Sequence, residues 1–444
     1  MKKHTYQVLE YNRLLDILSR YAMCPMGKSN CLSLEPSNDI GFIDNELRLV
    51  SEMKLLLKVR GFVSLSDLTD IFPCLRKSRT DGSYLEPNEL LCILSLAQAS
   101  RQSKKFLESH RSLCPRMYDM VRDIPNCEKL VTILNDTISA TGGLKDSASP
   151  ALKKIRRKKT RLRLDLQKKL QKIQKSSGHF DDRQDQLVTL REGRYVIALR
   201  TDQKSRFEGI VHDYSQTRVT CFLEPVEVIP DNNRMAELRH EEKAEEHRIL
   251  INLTGLVREW ASELAFFQSL IGRLDGFYAR ARFSERQSCV MPEISGENRI
   301  ELKKARNPIL QAMALNSKNK GEKVEEPVPV DILLDDQHNT LIISGPNRGG
   351  KTVTLKTLGL MSLMTQAGIH IPAEEGSHMP IFDEIMADIG DDQDIQTGRS
   401  TFSAHAAHLS HIVEHAGQKS LIIIDEPGMG TDPDEGVALA MSVL

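Results

Sequence analysis

The sequence predicts a multidomain fold, mainly helical over residues 1–285 with a small β-rich insertion at 187–231, then α/β over residues 286–444. Three patterns carry this reading: apolar residues at helical spacing through most of the first part, alternation across residues 187–223, and a strand, glycine turn and helix in that order from Leu341. A chain of 444 residues exceeds what one compact core encloses. Its 60 basic and 61 acidic residues nearly cancel, so attraction to an acidic partner has to come from local patches. There is no run of about 18 apolar residues and no signal-peptide core, so the expectation is a cytoplasmic protein without membrane contact. The eight cysteines form no C-x-x-C pair, which points to reduced thiols rather than staples or a zinc site.

Residues 1–150 read as helices of a core or lever. Leu9, Leu14, Leu15, Ile17, Leu18 and Tyr21 give one apolar face, and residues 43–59 and 87–108 repeat the pattern between Gly, Pro and Asp-Gly breakers. Residues 151–186 change character. Lys and Arg crowd the stretch 151–175 against the single acid Asp165, while Ile155, Leu162, Leu166, Leu170 and Ile173 run down one side. This predicts the ascending helix of a coiled-coil arm, roughly 25 residues and about 38 Å long. Residues 232–285 supply its descending partner, with Met235, Leu238, Ile249 and Leu253 apolar and Glu237, Glu241, Glu242, Glu245 and Glu246 bunched near the start. Antiparallel pairing sets acid against base. The lysines then either close salt bridges and face solvent, or bind nucleic acid; both readings stay open.

Between these helices, residues 187–199 read as two strands about a Glu192-Gly193 turn, and residues 209–212 and 219–223 continue the alternation. Arg191, Arg194, Arg200, Lys204, Arg206 and Arg218 decorate this small sheet. Such a tip suits gripping phosphate backbones without reading bases, or it merely caps the arm. Residues 283–330 read as loop-rich, with an exposed, mobile stretch at 316–322.

The stretch Leu341-Ile342-Ile343-Ser344-Gly345-Pro346-Asn347-Arg348-Gly349-Gly350-Lys351-Thr352 fits a phosphate-binding loop, G-x-x-x-x-G-K-[ST]. Three apolar residues predict a short buried strand, and Val353, Leu355, Leu358, Leu360, Leu363 and Met364 predict the helix that must follow. Glycines let backbone N–H groups curl around phosphate oxygens, and the helix start presents its positive dipole end to the same anion. Lys351 adds a point charge on the outer phosphates, and the Thr352 hydroxyl ligates Mg²⁺. A second strand at 421–424 delivers Asp425 to the metal and Glu426 to orient and deprotonate water. Residues 382–390 form a further strand ending in acids, and residues 397–403 open a helix carrying His405, His408, His411 and His415. A metal site there is set aside, because no carboxylate or thiol at matching spacing joins the histidines.

Taken together these residues resemble the MutS family, and within it the second bacterial branch, here MutS-two. The likeness rests on Gly345-Pro346-Asn347, Gly349 to Thr357, Ala387 to Asp391, Ser400-Thr401-Phe402-Ser403, and Asp425-Glu426 with Gly428 and Gly430 to Pro433. It extends to Leu9-Glu10-Tyr11, Asp146 to Pro150, Gly193 to Ile197, Gly209 to Asp213 and Leu223-Glu224-Pro225, so that essentially the whole chain is covered. The resemblance implies a helical core with levers, a clamp inserted in a coiled coil, and an ABC-type ATPase using ATP and Mg²⁺ as a homodimer. It implies that Ser400, with Thr401, reaches the γ-phosphate bound to the opposite subunit and that Gly430, Thr431 and Asp432 line the dimer seam. It implies restraint of recombination through branched or duplex DNA, action on collided ribosomes and their RNA, or both.

Three departures stand out. Arg348 replaces a small hydroxyl residue beside the phosphates, and Asn307 replaces the histidine usual near the nucleotide base. The chain stops at Leu444, before the last strand and switch histidine of an ABC-type sheet and before the branch's nuclease domain. The expectation is a C-terminally truncated ATPase without nuclease activity, its hydrolysis in doubt. A non-catalytic DNA-binding and dimerisation module, and an SMC-like subunit, are the alternatives.

Overall fold

The computed structural model describes residues 2–176, 188–321, 325–346, 349–390, 401–428 and 432–443. In chain order the helices of the first part are α1 (Lys2–Val8), α2 (Tyr11–Ser19), α3 (Pro25–Leu32), α4 (Ile40–Val59), α5 (Phe72–Ser78), α6 (Pro87–Ser109), α7 (Pro115–Val121), α8 (Glu128–Thr137) and α9 (Pro150–Ser176). Strands β1 (Val188–Arg191), β2 (Arg194–Arg200), β3 (Gly209–Tyr214) and β4 (Thr220–Pro225) follow, then α10 (Ile229–Glu259) and α11 (Ala261–Arg286). The last part comprises β5 (Glu293–Ser295), β6 (Ile300–Ala305), α12 (Pro308–Asn319), β7 (Val330–Leu334), α13 (Lys351–Gln366), β8 (His378–Pro380), β9 (Glu384–Asp388), α14 (Thr401–His415), β10 (Ser420–Ile424) and α15 (Pro433–Val443). Among the described residues no helix is long and apolar enough to cross a membrane.

The chain forms two compact units, one of Met1–Asp70, Gln98–Pro125 and Phe266–Leu444, the other of Ile71–Ala97 and Asn126–Ala265. In the second unit, α9 and α10 lie antiparallel, because Arg156 meets Glu242 (2.9 Å) and Glu246 (2.8 Å) while Lys169 meets Asp231 (2.5 Å). Lys159 adds a further bond to Glu242. Burial pushes the Glu242 carboxyl up, but Lys159 and Arg156 outweigh it and hold the group below its usual range. Leu166 and Leu170 of α9 share a buried cluster with Met235 of α10 and with Ile197, Leu199 and Leu223 of the sheet.

That sheet is antiparallel in the order β1-β2-β4-β3. Glu192 (φ 46°) and Gly193 (φ 79°) both take the left-handed conformation that a two-residue hairpin turn requires. Beneath it, Glu224 is 0% exposed and accepts from Arg194 (2.7 Å) and from Asn232 Nδ2 (2.8 Å), with His212 Nε2 2.6 Å from its other oxygen. Three segments separated in sequence thus converge on one carboxylate.

In the first unit the core runs from Leu9, Tyr11, Leu14 and Leu18 to Leu358, Leu360, Met361 and Met364 of α13 and Leu421 and Ile423 of β10. Strands β9 and β10 pair in parallel, in register from Glu384↔Ser420 to Asp388↔Ile424. A separate four-stranded sheet has the order β5-β8-β6-β7. Asp275 of α11, fully buried, accepts from the backbone N–H of Met23 (2.9 Å) and Cys24 (2.8 Å), and only a glycine at 27 leaves room for its carboxylate. Arg280 is likewise buried, paired with Glu46 at 3.0 Å and stacked on Phe277.

Two expectations are corrected here. Residues 341–343 form no strand: they pair with none among the described residues, and Ile342 is 76% exposed. An apolar run without a hydrogen-bonding neighbour has no ladder to join. The passage expected as loops holds β5, β6 and α12 instead, and α12 extends to Asn319. Pro308 at its first position and Asn307 capping the N–H groups of Ile309 and Leu310 (3.1 Å each) start that helix.

His370 packs in the first unit with Nε2 3.1 Å from the Leu47 carbonyl and Nδ1 3.0 Å from Ser284 Oγ, and burial pushes its ring down to about 4. The folded ring refuses a proton that the unfolded chain accepts near 6.5, so its contribution is full above that pH and is lost as pH falls toward 4. Stability measured by urea titration should drop by about 2 kcal/mol more between pH 7 and pH 5 than in a His370→Gln variant. In the second unit, Glu224→Ala should cost about 3 kcal/mol by stranding Arg194, read from the fluorescence of Trp260, the only tryptophan in the chain.

Candidate functional site

The site forms where α13 begins. Gly350 precedes it at φ 87° and Gly345 sits at φ 153°, conformations that side chains resist, and the Gly349 N–H closes the turn on the Pro346 carbonyl at 2.8 Å. Asn347 and Arg348 lie outside the described residues. Lys351 donates from Nζ to the Gly345 carbonyl at 2.8 Å, folding its ammonium over the turn. Thr352 donates from Oγ1 to Asp425 Oδ2 at 2.6 Å. The next residue, Val353, continues the helix and its carbonyl accepts from Thr357 Oγ1.

Asp425 follows β10 directly, and its N–H donates to the carbonyl of Asp388, the last residue of β9, at 2.9 Å, which carries the parallel pairing one residue past the end of β10. Glu426 holds φ 47°, a left-handed backbone for a side-chain-bearing residue. Such strain persists only where the surroundings enforce it. Gly428 and Gly436 pack backbone to backbone, since a Cβ at 428 would lie 2.5 Å from the Gly436 carbonyl oxygen. This brings the start of α15 against the turn that carries Glu426.

What fixes α13 against β10 is close packing. A Cβ on Gly359 would lie 2.6 Å from a Leu9 methyl and 2.9 Å from Ile423 Cδ1, so the glycine lets helix and strand approach. Lys356 pairs with Glu10 at 2.9 Å, and this bond, with Arg13, holds the Glu10 carboxyl below its usual range. The likeness noted at Leu9-Glu10-Tyr11 thus has a physical content: Leu9 and Glu10 both bear on α13. Between residues 341–343 and β10 lies a groove of about 590 Å³ lined by Leu341, Ile343, Leu355, Leu358 and Ile422.

Other sequence-predicted residues fall as follows. Thr401 is the first residue of α14, and Asp432 caps α15 by accepting from the Asp434 N–H at 3.0 Å; Ser400, Gly430 and Thr431 lie outside the described residues. Asn307 spends its amide oxygen on the cap of α12, and its Nδ2 lies 3.3 Å from Thr357 Oγ1. In the small sheet, Arg194 is tied to Glu224, Arg191 to Asp213 (3.4 Å) and the face of Phe222, and Arg200 to Asp202 (3.2 Å). Among the described residues no acid pairs with Lys204, Arg206 or Arg218. Sequence spacing also missed a carboxylate for the histidines of α14: Asp388 of β9 meets both His405 and His408. Residues so far apart leave no local signal.

Comparison with known proteins agrees with this geometry. Residues 341–444 match the family described as MutS domain V. Over all of its 444 residues the chain is 36% identical to a protein named Endonuclease MutS2 from Pelotomaculum thermopropionicum, covering 55% of that relative. Proteins of the same name from Acetivibrio thermocellus and Bacillus velezensis are also 36% identical, again across 100% of this chain and 55% of theirs. The chain therefore spans about half the length of the curated relatives it matches. Residues 341–444 thus match MutS domain V, and along its whole length this chain is similar to MutS2-type proteins.

Proposed function

We propose that the chain binds ATP with Mg²⁺ at the turn entering α13 and works as a homodimeric, nucleic-acid-binding ATPase of the MutS2 type. The observation that carries this reading is the 2.6 Å contact between the Thr352 hydroxyl and the Asp425 carboxylate, made at a helix start beneath a glycine turn. A hydroxyl and a carboxylate oxygen side by side are the hard donors that Mg²⁺ takes in such sites, so the residues present fit the ion. When bound, the ion neutralises charge on the outer phosphates. Lys351 moves from the Gly345 carbonyl to those oxygens, the N–H groups of Gly349 and Gly350 line the turn, and Glu426 accepts the proton of the attacking water.

The Ser400–Thr401 segment and Gly430, Thr431 and Asp432 form, in this proposal, the contacts that join two subunits across ATP. Lys204, Arg206 and Arg218 supply phosphate-backbone contacts to branched or duplex DNA, or to ribosomal RNA in collided ribosomes. The relatives' name refers to an endonuclease, and that activity belongs to those longer proteins.

One observation favours a second reading, a non-catalytic nucleic-acid-binding and dimerisation module. Residues 341–343 join no sheet among the described residues, which leaves the strand side of the phosphate loop unbraced.

Nucleotide titration and turnover separate the two. Lys351→Ala should weaken ATP binding about tenfold or more, and Glu426→Gln should keep binding while slowing hydrolysis about 10²- to 10⁴-fold. Equal ATP binding by wild type and Lys351→Ala removes the loop assignment. Absence of turnover with and without DNA, alongside salt-sensitive DNA binding, selects the module.

For nucleic acid, competition among a four-way junction, plain duplex and ribosomes at stated salt ranks the ligands. Alanine at Lys204, Arg206 or Arg218 should each lower the slope of log K against log salt by about 1 and weaken binding on every sequence alike. An unchanged slope in the triple variant removes the sheet from the interface.

A further inference from the structure

Strand β9 ends on Asp388, which is 3% exposed. Its Oδ2 lies 2.8 Å from His405 Nδ1 and its Oδ1 lies 3.1 Å from His408 Nδ1. His4 of α1 packs its ring against His408, with centroids 4.0 Å apart and planes inclined by 44°. The ligand-capable atoms of His4, Asp388 and His408 all lie within 4.8 Å of one another. Three imidazoles and one buried carboxylate therefore meet at a single point, drawn from segments nearly 400 residues apart in the chain.

From this geometry we infer that His4, Asp388 and His408 bind one divalent transition-metal ion of the zinc class. A tetrahedral ion with bonds of about 2.0–2.1 Å needs its ligand atoms roughly 3.4 Å apart, so small side-chain rotations close the set. Two imidazole nitrogens and one carboxylate oxygen suit Zn²⁺ and its neighbours, whereas Mg²⁺ prefers oxygen alone. His405, on the other carboxylate oxygen, orients Asp388 as ligand-supporting groups do. Water completes the fourth position.

The ion lies in the same strand layer as the nucleotide site, since the Asp388 carbonyl accepts the Asp425 N–H. It fastens the first helix of the chain to α14. The inference stands apart from the nucleotide reading: neither Thr352 nor Lys351 takes part.

A second histidine group on the same helix provides the control. His411, Glu414 and His415 also gather within ligand distance, but the glutamate and His415 are exposed and all three belong to one stretch of helix.

The test uses the full chain without a polyhistidine tag, stripped with chelator and dialysed against Zn²⁺ with excess Mg²⁺ and no nucleotide. Metal content is measured directly, and Co²⁺ is substituted to read the ligand field. The expected result is one zinc per chain, bound about tenfold or more weakly in His4→Ala and in His408→Gln, and unchanged in the His411→Ala/His415→Ala double variant. Circular dichroism shows that each variant is folded, and His4→Gln, which keeps a polar side chain on α1, repeats the test should His4→Ala unfold. Zinc content unaffected by both His4 variants, zinc lost only from the double variant, or no zinc retained by wild type each overturns the inference.

Discussion

The geometry around the start of α13 depends on one parallel strand pair. Because β9 and β10 run the same way and in register, their carboxyl ends coincide, and Asp388 and Asp425 emerge side by side. An antiparallel arrangement would have sent the two acids to opposite edges. Given that pair, the position of α13 decides whether Thr352 reaches Asp425. That position is set by the absence of a side chain at Gly359, which lets the helix settle onto Leu9 and Ile423. The chemistry of the first turn of α13 is therefore a consequence of packing near its middle.

The small sheet shows the opposite economy, in which charge is spent on architecture. The arginines that decorate it in the sequence divide in the structure, with Arg191, Arg194 and Arg200 taken up by acids. On α9 the same holds for Arg156, Lys159 and Lys169. The positive surface left for a polyanion is smaller than a count of lysines and arginines suggests. Among the described residues it remains on α9, where Lys153, Lys154, Arg157, Lys158, Arg161, Arg163, Lys168 and Lys172 are exposed and outside the salt bridges, and on the sheet at Lys204, Arg206 and Arg218.

Much of this was legible in the sequence, for physical reasons that differ by element. The amphipathic spacing of α4, α9 and α10, and the alternation of β1 to β4, are local signals that tertiary packing did not override. The glycine turn and the start of α13 were legible because Gly345, Gly349 and Gly350 lie in one short span ahead of an apolar helical pattern. The state of residues 341–343 was not, since three apolar residues signal a strand whether or not a partner is at hand. The start of α12 was hidden by weak periodicity, although Asn307-Pro308 is a good helix opening. The meeting of His4, Asp388, His405 and His408 lay beyond any reading of spacing, because three separate segments supply it. Asn307 stands where the resemblance expects a histidine, and in the structure its amide oxygen holds the start of α12.

The first dozen residues have a meaning that their distance from the phosphate loop conceals. Leu9 fills the hollow above Gly359, and Glu10 neutralises Lys356 on the same helix face. Any shortened gene that starts at a later methionine would express the phosphate loop intact but leave its helix bare on one flank, with an apolar dent and an unmatched ammonium. The choice of start codon in such a gene thus decides whether α13 keeps both of its braces.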